Sequence, residues 1–230
     1  MSDDAQRLNK FLALQLGISR RQADDIINAG KIKINGNIAK LGARFLDEDK
    51  IEYNGKMIST EAEEYVYILF NKPTNFVCSR RKQGENETIY TILPKKYHSL
   101  KPVGRLDKDS SGLLILTNDG DFAFKMTHPR FYKIKEYIVR LNAPLEPLHQ
   151  QMISDFGIDL PDGPSKLTLE KLNENRKEWK VVMSEGRNRQ IRRTFAVLGY
   201  EVTYLHRTNF GPYSLPDDLK PGEYIIVDKK

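Results

Sequence analysis

The sequence predicts an α+β fold in two parts. A small helix-rich module spans residues 1–62, and a larger domain with a mostly antiparallel mixed sheet and flanking helices spans residues 63–230. Three observations carry the prediction. Asn35-Gly36 and Asn54-Gly55 mark two hairpin turns within the first sixty residues. Two short runs ahead of them place apolar residues at helical spacing. From Tyr65 onward, strand-like and helical runs are mixed without the regular alternation of a parallel βαβ sheet.

The elements follow in order. Leu8, Phe11, Leu12 and Leu16 define an apolar stripe on a first helix from Gln6, which Gly17 ends. Ser19 with Gln22 three residues on has the pattern of a capping box. The helix it opens buries Ala23, Ile26 and Ile27 and stops at Gly30. Lys31–Ile34 alternates as a strand into the first hairpin turn, and Lys50–Ile58 is a strand pair around the second. Thr60–Glu64 is polar and reads as a linker. Beyond it, strands are expected at Tyr65–Phe70, Gly112–Leu116, Tyr137–Leu141, Lys166–Leu172, Trp179–Met183, Glu201–Leu205 and Tyr224–Val227. Gly112–Leu116 is apolar throughout, as a strand buried on both faces would be. Helices are expected at Asp121–Thr127, Glu146–Phe156 and Asn188–Leu198.

Composition narrows the class. Of 230 residues, 39% are hydrophobic and 30% charged, which fits a globular chain rather than a disordered one. No apolar run is long enough to span a membrane, and Met1-Ser2-Asp3-Asp4 has no secretory character, so the expected location is the cytoplasm. One cysteine, Cys78, rules out an intrachain disulfide and a cysteine-rich metal site. The net charge of +6 permits a polyanionic partner, but residues 1–62 hold 10 basic and 9 acidic side chains, so placement has to carry that argument. There, Arg7, Lys10, Arg20, Arg21, Lys31 and Lys33 can gather near the helix pair, either as a solvated face or as phosphate contacts.

Three segments could hold chemistry. Gly104-Arg105-Leu106-Asp107-Lys108-Asp109-Ser110-Ser111-Gly112 precedes the most apolar run, so a carboxylate there would sit on a rigid strand edge. Otherwise it is a polar loop with turn glycines. Arg187, Arg189, Arg192 and Arg193 cluster at the start of a helix, where they could hold phosphate or pair with acids such as Glu185. Lys135-Glu136-Tyr137 leads into a strand, and Tyr137 is either a core ring or a stacking face for a base. The four histidines have no metal-ligand spacing, and neither a phosphate-binding glycine loop nor a dinucleotide fingerprint is present.

Taken in order, these segments resemble a family. Gly104-Arg105-Leu106-Asp107, with Ser110-Ser111-Gly112-Leu113 and Thr117-Asn118-Asp119-Gly120-Asp121, looks like the signature loop of the RsuA/RluB ribosomal-RNA pseudouridine synthases. Lys135-Glu136-Tyr137 and Glu185-Gly186-Arg187-Asn188-Arg189-Gln190-Ile191-Arg192-Arg193 look like its later motifs. Residues 6–45 resemble the S4-type RNA-binding module. Thr194, where relatives often carry an apolar residue, departs from the pattern.

The resemblance implies isomerisation of uridine to pseudouridine with no cofactor and no metal. Asp107 is the catalytic carboxylate, Tyr137 stacks on the flipped base and Arg192 pairs with Asp107. Arg105, Arg187 and Arg189, with the six cations of the first module, contact RNA. The expected partner is ribosomal RNA or a ribosomal-subunit precursor, and the expected state a monomer. Glu185-Gly186-Arg187-Asn188-Arg189-Gln190 and Asp162-Gly163-Pro164 resemble enzymes of the large subunit, the slightly favoured target, and Asp218–Tyr224 leans towards those of the small subunit. A non-catalytic assembly factor is the alternative from another class, against which Asp107, Tyr137 and Arg192 stand together. A glycoside hydrolase would need a flanking pair of acids, for which Asp107 and Asp109 are the nearest choice.

Overall fold

Residues 5–59, 64–80 and 83–230 are described by the computed structural model. The acidic start Met1–Asp4 and the linker residues Thr60–Glu63 lie outside them. The chain divides into two units, Met1–Tyr65 and Val66–Lys230.

In the first unit, α1 (Leu8–Gln15) and α2 (Arg20–Asn28) pack through Leu8, Phe11, Leu12, Ala23 and Ile27. Ser19 Oγ accepts from Gln22 N and Gln22 Oε1 from Ser19 N, so the predicted capping box forms. A two-residue pair joins β1 (Gln6–Arg7) to β4 (Arg44–Phe45). The strands β2 (Ile32–Ile34), β3 (Asn37–Ile38), β5 (Ile51–Tyr53) and β6 (Lys56–Ile58) form an antiparallel sheet in the order β3-β2-β5-β6. Both Asn-Gly turns have positive φ at both residues, as a type I′ hairpin needs.

The second unit is built on a nine-stranded sheet. Its strands are β7 (Tyr67–Lys72), β8 (Lys101–Val103), β9 (Ser111–Thr117), β10 (Lys135–Leu141), β13 (Thr168–Lys171), β14 (Glu178–Met183), β15 (Val202–Phe210), β16 (Tyr213–Ser214) and β17 (Tyr224–Val227). The path is β13-β14-β10-β15-β9-β7-β17, with β16 on β15 and β8 on β9. Every pairing is antiparallel except β15 with β9, which joins two antiparallel halves through His206↔Ser111 and Arg207↔Gly112. A separate hairpin is made by β11 (Ile158–Leu160) and β12 (Gly163–Ser165).

Strand parity sorts the core. Leu114 and Leu116 of β9 pack into the larger cluster with Tyr137, Val139, Trp179 and Phe195, while Leu113 and Ile115 pack with Phe122 and Met126 of α3 (Gly120–Thr127) on the other face. β9 is therefore buried on both sides, as its sequence predicts. Two segments differ from expectation. The 146–156 helix is α4 (Pro147–Gln151) continued by a π-helical turn, Met152–Phe156. β15 runs five residues past the expected Leu205, because Arg207 occupies a buried position in it.

Candidate active site

Asp107 lies in the loop between β8 and β9, and that loop's backbone is tied down from several sides. Ser110 N donates to Asp107 O at 3.1 Å, and Asn75 N to Lys108 O at 2.7 Å. Beneath it sits Lys72, fully buried at the end of β7 on the same strand face as Ile68 and Phe70. Its Nζ donates to Asp107 O at 3.0 Å, Ser110 O at 2.7 Å and Pro73 O at 2.9 Å. Burial pushes the Lys72 ammonium down to about 8, opposed by the charges near it, Asp107 and Asp109 among them. Such a loop holds a carboxylate in place without spending the carboxylate's own oxygens on the scaffold.

Gly112 fixes the loop's exit. At φ 102°, a Cβ here would lie 2.3 Å from Arg207 O and 2.6 Å from Arg207 N. Only glycine lets β9 approach β15 this closely, and that approach is the parallel junction of the sheet.

A cavity of about 360 Å³ opens at this junction, within the usual size of ligand sites. Asp107, Arg105, Tyr137, Lys135, Arg189 and Arg207 are on its walls. The Tyr137 ring is buried in the larger core cluster and also lies on the cavity wall. Arg105 is exposed at the wall.

The arginine cluster resolves into distinct jobs, and one pairing needs correction. Arg192 does not pair with Asp107. Its Nε lies 3.2 Å from Asp109 Oδ2, and its terminal nitrogens donate to Asp109 O at 2.8 Å and Val202 O at 2.5 Å. The cation paired with the Asp107 carboxylate is Arg189, at 3.8 Å from Oδ2, while the same guanidinium grips Asp109 with two bonds of 2.9 and 2.8 Å. The reason is local: α5 begins at Gln190, with Arg189 in the left-handed conformation before it. Arg189 thus leaves the helix towards the loop, and Arg192, most of a turn inside, reaches Asp109. Hydrogen bonding from Arg189, reinforced by the Arg192 charge and opposed by burial, holds the Asp109 carboxyl below the usual range.

Arg187, expected on RNA, is instead a clamp on the β11–β12 hairpin. It donates to the carbonyls of Asp162, Gly163 and Pro164 at 2.7–2.9 Å and to Asp162 Oδ1 at 3.0 Å. Arg193 makes a bidentate pair with Asp162. For these two, pairing with acids is the reading the geometry supports. Thr194 is fully buried within α5 (Gln190–Val197), with its hydroxyl 2.7 Å from Ser165 Oγ and 2.9 Å from Gln190 O, which accommodates a polar group where an apolar one was expected.

In the first unit, Arg7, Arg20, Arg21, Lys31 and Lys33 are exposed and Lys10 is half-buried. Arg20 donates to Asn9 Oδ1 at 3.1 Å, joining the helix pair.

Sequence reasoning missed the roles of three cations, two of them buried and the third, Lys135, half-buried. Besides Lys72, Lys135 donates to Ser184 O and Glu185 O at 3.0 and 3.2 Å, and burial lowers it to about 8. Arg207 is 2% exposed, with Nε bonded to Leu113 O at 2.8 Å and the guanidinium 4.9 Å from the Phe210 ring centre. The signal available was position: Lys72 ends a strand whose six residues are all buried, and Arg207 follows buried Leu205 two residues on in β15. His206 is likewise mid-strand, with Nδ1 2.9 Å from Ser111 Oγ. Among the described residues, no group of three or more His, Cys, Asp or Glu side chains is placed to hold a metal, and no helix is long and apolar enough to cross a membrane.

A carboxylate on a pinned loop, walled by a tyrosine and cations in a cavity where two antiparallel half-sheets meet, suits an enzyme that works on a base-sized group. Comparison with known proteins specifies it. Residues 66–197 match the RNA pseudouridylate synthase family and residues 6–51 the S4 domain. The chain belongs to that family, in its RsuA/RluB branch, and is a pseudouridine synthase, an isomerase. It is 38% identical to the ribosomal small subunit pseudouridine synthase A of Haemophilus influenzae, over 95% of this chain and 94% of that one. It is 35% identical to the ribosomal large subunit pseudouridine synthase B of Bacillus subtilis, over 89% of this chain and 85% of that one. A solved pseudouridylate synthase structure matches with a TM-score of 0.69 at 35% identity, covering 96% of both chains.

Proposed function

We propose that the protein converts uridine in ribosomal RNA to pseudouridine in the cytoplasm, with Asp107 as the catalytic carboxylate. The observation that carries this is the Asp107 loop, whose backbone is bonded to Lys72 and Asn75 while its carboxylate stays on the cavity wall. The reaction breaks the bond from ribose C1′ to uracil N1, turns the base and rejoins it through C5. A carboxylate serves either as the nucleophile at C1′ or as the base that takes a ribose proton. Both routes place the carboxylate at the ribose, and the Arg189 guanidinium lies 3.8 Å from its Oδ2. A stacked base is out of reach, so the uridine must be extruded into the cavity. Tyr137 offers it a ring there, and exposed Arg105 stands where the displaced strand would pass.

Arg192 acts as a positioning residue, holding the loop through the Asp109 carbonyl. Ribosomal RNA of the large subunit is the favoured target, on the resemblance of Asp162-Gly163-Pro164. The small subunit is the second reading, supported by the Asp218–Tyr224 tail and by the name of the Haemophilus relative.

Asp107→Asn tests the role. It keeps the shape and removes the charge, so tritium release from uridine-labelled RNA should vanish while RNA affinity stays within a few-fold. Turnover near that of the parent would remove Asp107 from catalysis. Pseudouridine mapping in both ribosomal RNAs, with and without the gene, identifies the target.

A further inference from the structure

The cavity wall continues outward at Thr127 and Pro129 into a segment the reaction chemistry does not use. There α3 ends, Pro129–Phe131 make one 3-10 turn, and Tyr132 closes it in the left-handed conformation, φ 47° and ψ 45°. A non-glycine residue rarely takes that conformation. Its ring is 75% exposed, and Phe124 on the last turn of α3 is 45% exposed. Behind them the Phe124 and Phe131 rings pack edge to face at 5.9 Å, and the Arg130 guanidinium lies 5.0 and 4.6 Å from their centres. Exposed aromatic faces next to a cation, continuous with a catalytic cavity, are poorly suited to water and well suited to a flat, anionic ligand.

We propose that this ridge, formed by Phe124, Arg130, Phe131 and Tyr132, binds an unpaired nucleotide of the RNA substrate beside the uridine that enters the cavity. The inference rests on the functional reading above. The nucleotide's base stacks on the exposed rings, and Arg130 supplies the charge for its phosphate. The ligand is single-stranded because a base face is free only outside a helix, whereas a duplex presents phosphates and a shallow groove that rings cannot read. Strained Tyr132 thereby prefers RNA whose target uridine is flanked by a loop or bulge.

The test uses the full chain carrying Tyr132→Gly together with Arg130→Ala. Glycine takes the left-handed conformation freely, so the fold should be kept, and an unlowered melting temperature checks this. The probes are a fluorescent single-stranded oligouridylate and an RNA duplex of the same length. Oligouridylate should bind roughly tenfold more weakly, within the range for losing a base–aromatic stack, with duplex affinity changed less than about twofold. Turnover on ribosomal RNA should show a raised KM and an unchanged kcat. Oligouridylate affinity within about twofold of the parent, or an equal loss for both probes, overturns the proposal, the first pointing to a protein partner and the second to phosphate contact alone. Asp107→Asn measured alongside separates the two readings: if that variant still turns over, the catalytic assignment falls, while the ridge is judged on oligouridylate binding.

Discussion

Lys72 and Lys135 are charged groups held out of water next to the catalytic loop, and their cost is measurable. Both titrate near 8 in the folded chain, against an ordinary 10.5. Between those values the unfolded chain binds more protons, so stability rises with pH from about 8 upward. Below 8 both lysines are charged in both states and the contribution is constant. Tyr67 works the other way. Burial and the Asp119 carboxylate push it up to about 12, so above about 10 the unfolded chain sheds a proton the folded chain keeps. The rise should therefore occupy pH 8–10, read as an increasing urea midpoint followed by the fluorescence of buried Trp179. Lys135→Met should flatten it, and an unchanged slope in that variant would mean Lys135 does not titrate there.

The arginines make a second prediction at this scale. Methionine at 192 should remove most turnover, because it frees the Asp109 carbonyl and with it the loop, while RNA affinity holds. Methionine at 189 should lower turnover, since the guanidinium that touches Asp107 and grips Asp109 is lost. Methionine at 193 should at most slightly lower stability, because its pair with Asp162 is exposed and screened by solvent, and leave kcat alone. Equal losses of binding at all three positions would return the cluster to plain phosphate holding.

At the scale of elements, the parallel junction of β9 and β15 decides whether a site exists. Gly112→Ala puts a methyl group within 2.3 Å of the Arg207 backbone. The strands must separate, taking the Asp107 loop with them, at a cost of at least the 1–3 kcal/mol typical of overpacking. Turnover should disappear together with a lowered melting temperature, and a variant of parental stability and activity would show that the junction can relax. Ser19→Ala, by contrast, should lose about 1 kcal/mol from the first unit and leave the site untouched.

Most of these elements were legible in the sequence because each has a local cause: the capping box at Ser19, the Asn-Gly turns, the two-faced apolarity of β9. What escaped has a non-local cause. Nothing in residues 187–193 says that Arg189 turns left-handed, and that single backbone choice decides which arginine faces Asp107 and which Asp109. Lys72 looks like the polar end of a strand, and it takes the carbonyls of Asp107 and Ser110, more than thirty residues on, to make it a buried anchor. The β11–β12 hairpin is short and proline-containing, and it is held by Arg187 and Arg193 rather than by its own pattern.

For the whole molecule, the two units have separate cores, one from Leu8 to Ile51 and the other drawn from residues beyond Tyr65. The chain cut before Tyr65 should therefore fold, with the near-parental Trp179 environment as its check. The first unit is nearly neutral overall, so a contribution to RNA binding must come from where Arg7, Lys10, Arg20, Arg21, Lys31 and Lys33 sit rather than from net charge. Each phosphate contact supplied by these residues adds roughly 0.7–0.9 to the slope of log affinity against log salt. The shortened chain should bind RNA more weakly at low salt, with a shallower slope, and converge on the full chain as salt rises. Its kcat at saturating RNA should be kept, because Asp107 and its supports all lie in the second unit. A slope equal to that of the full chain would show that the six cations form a solvated face, whereas lost kcat at saturation would mean that the first unit does more than hold the substrate.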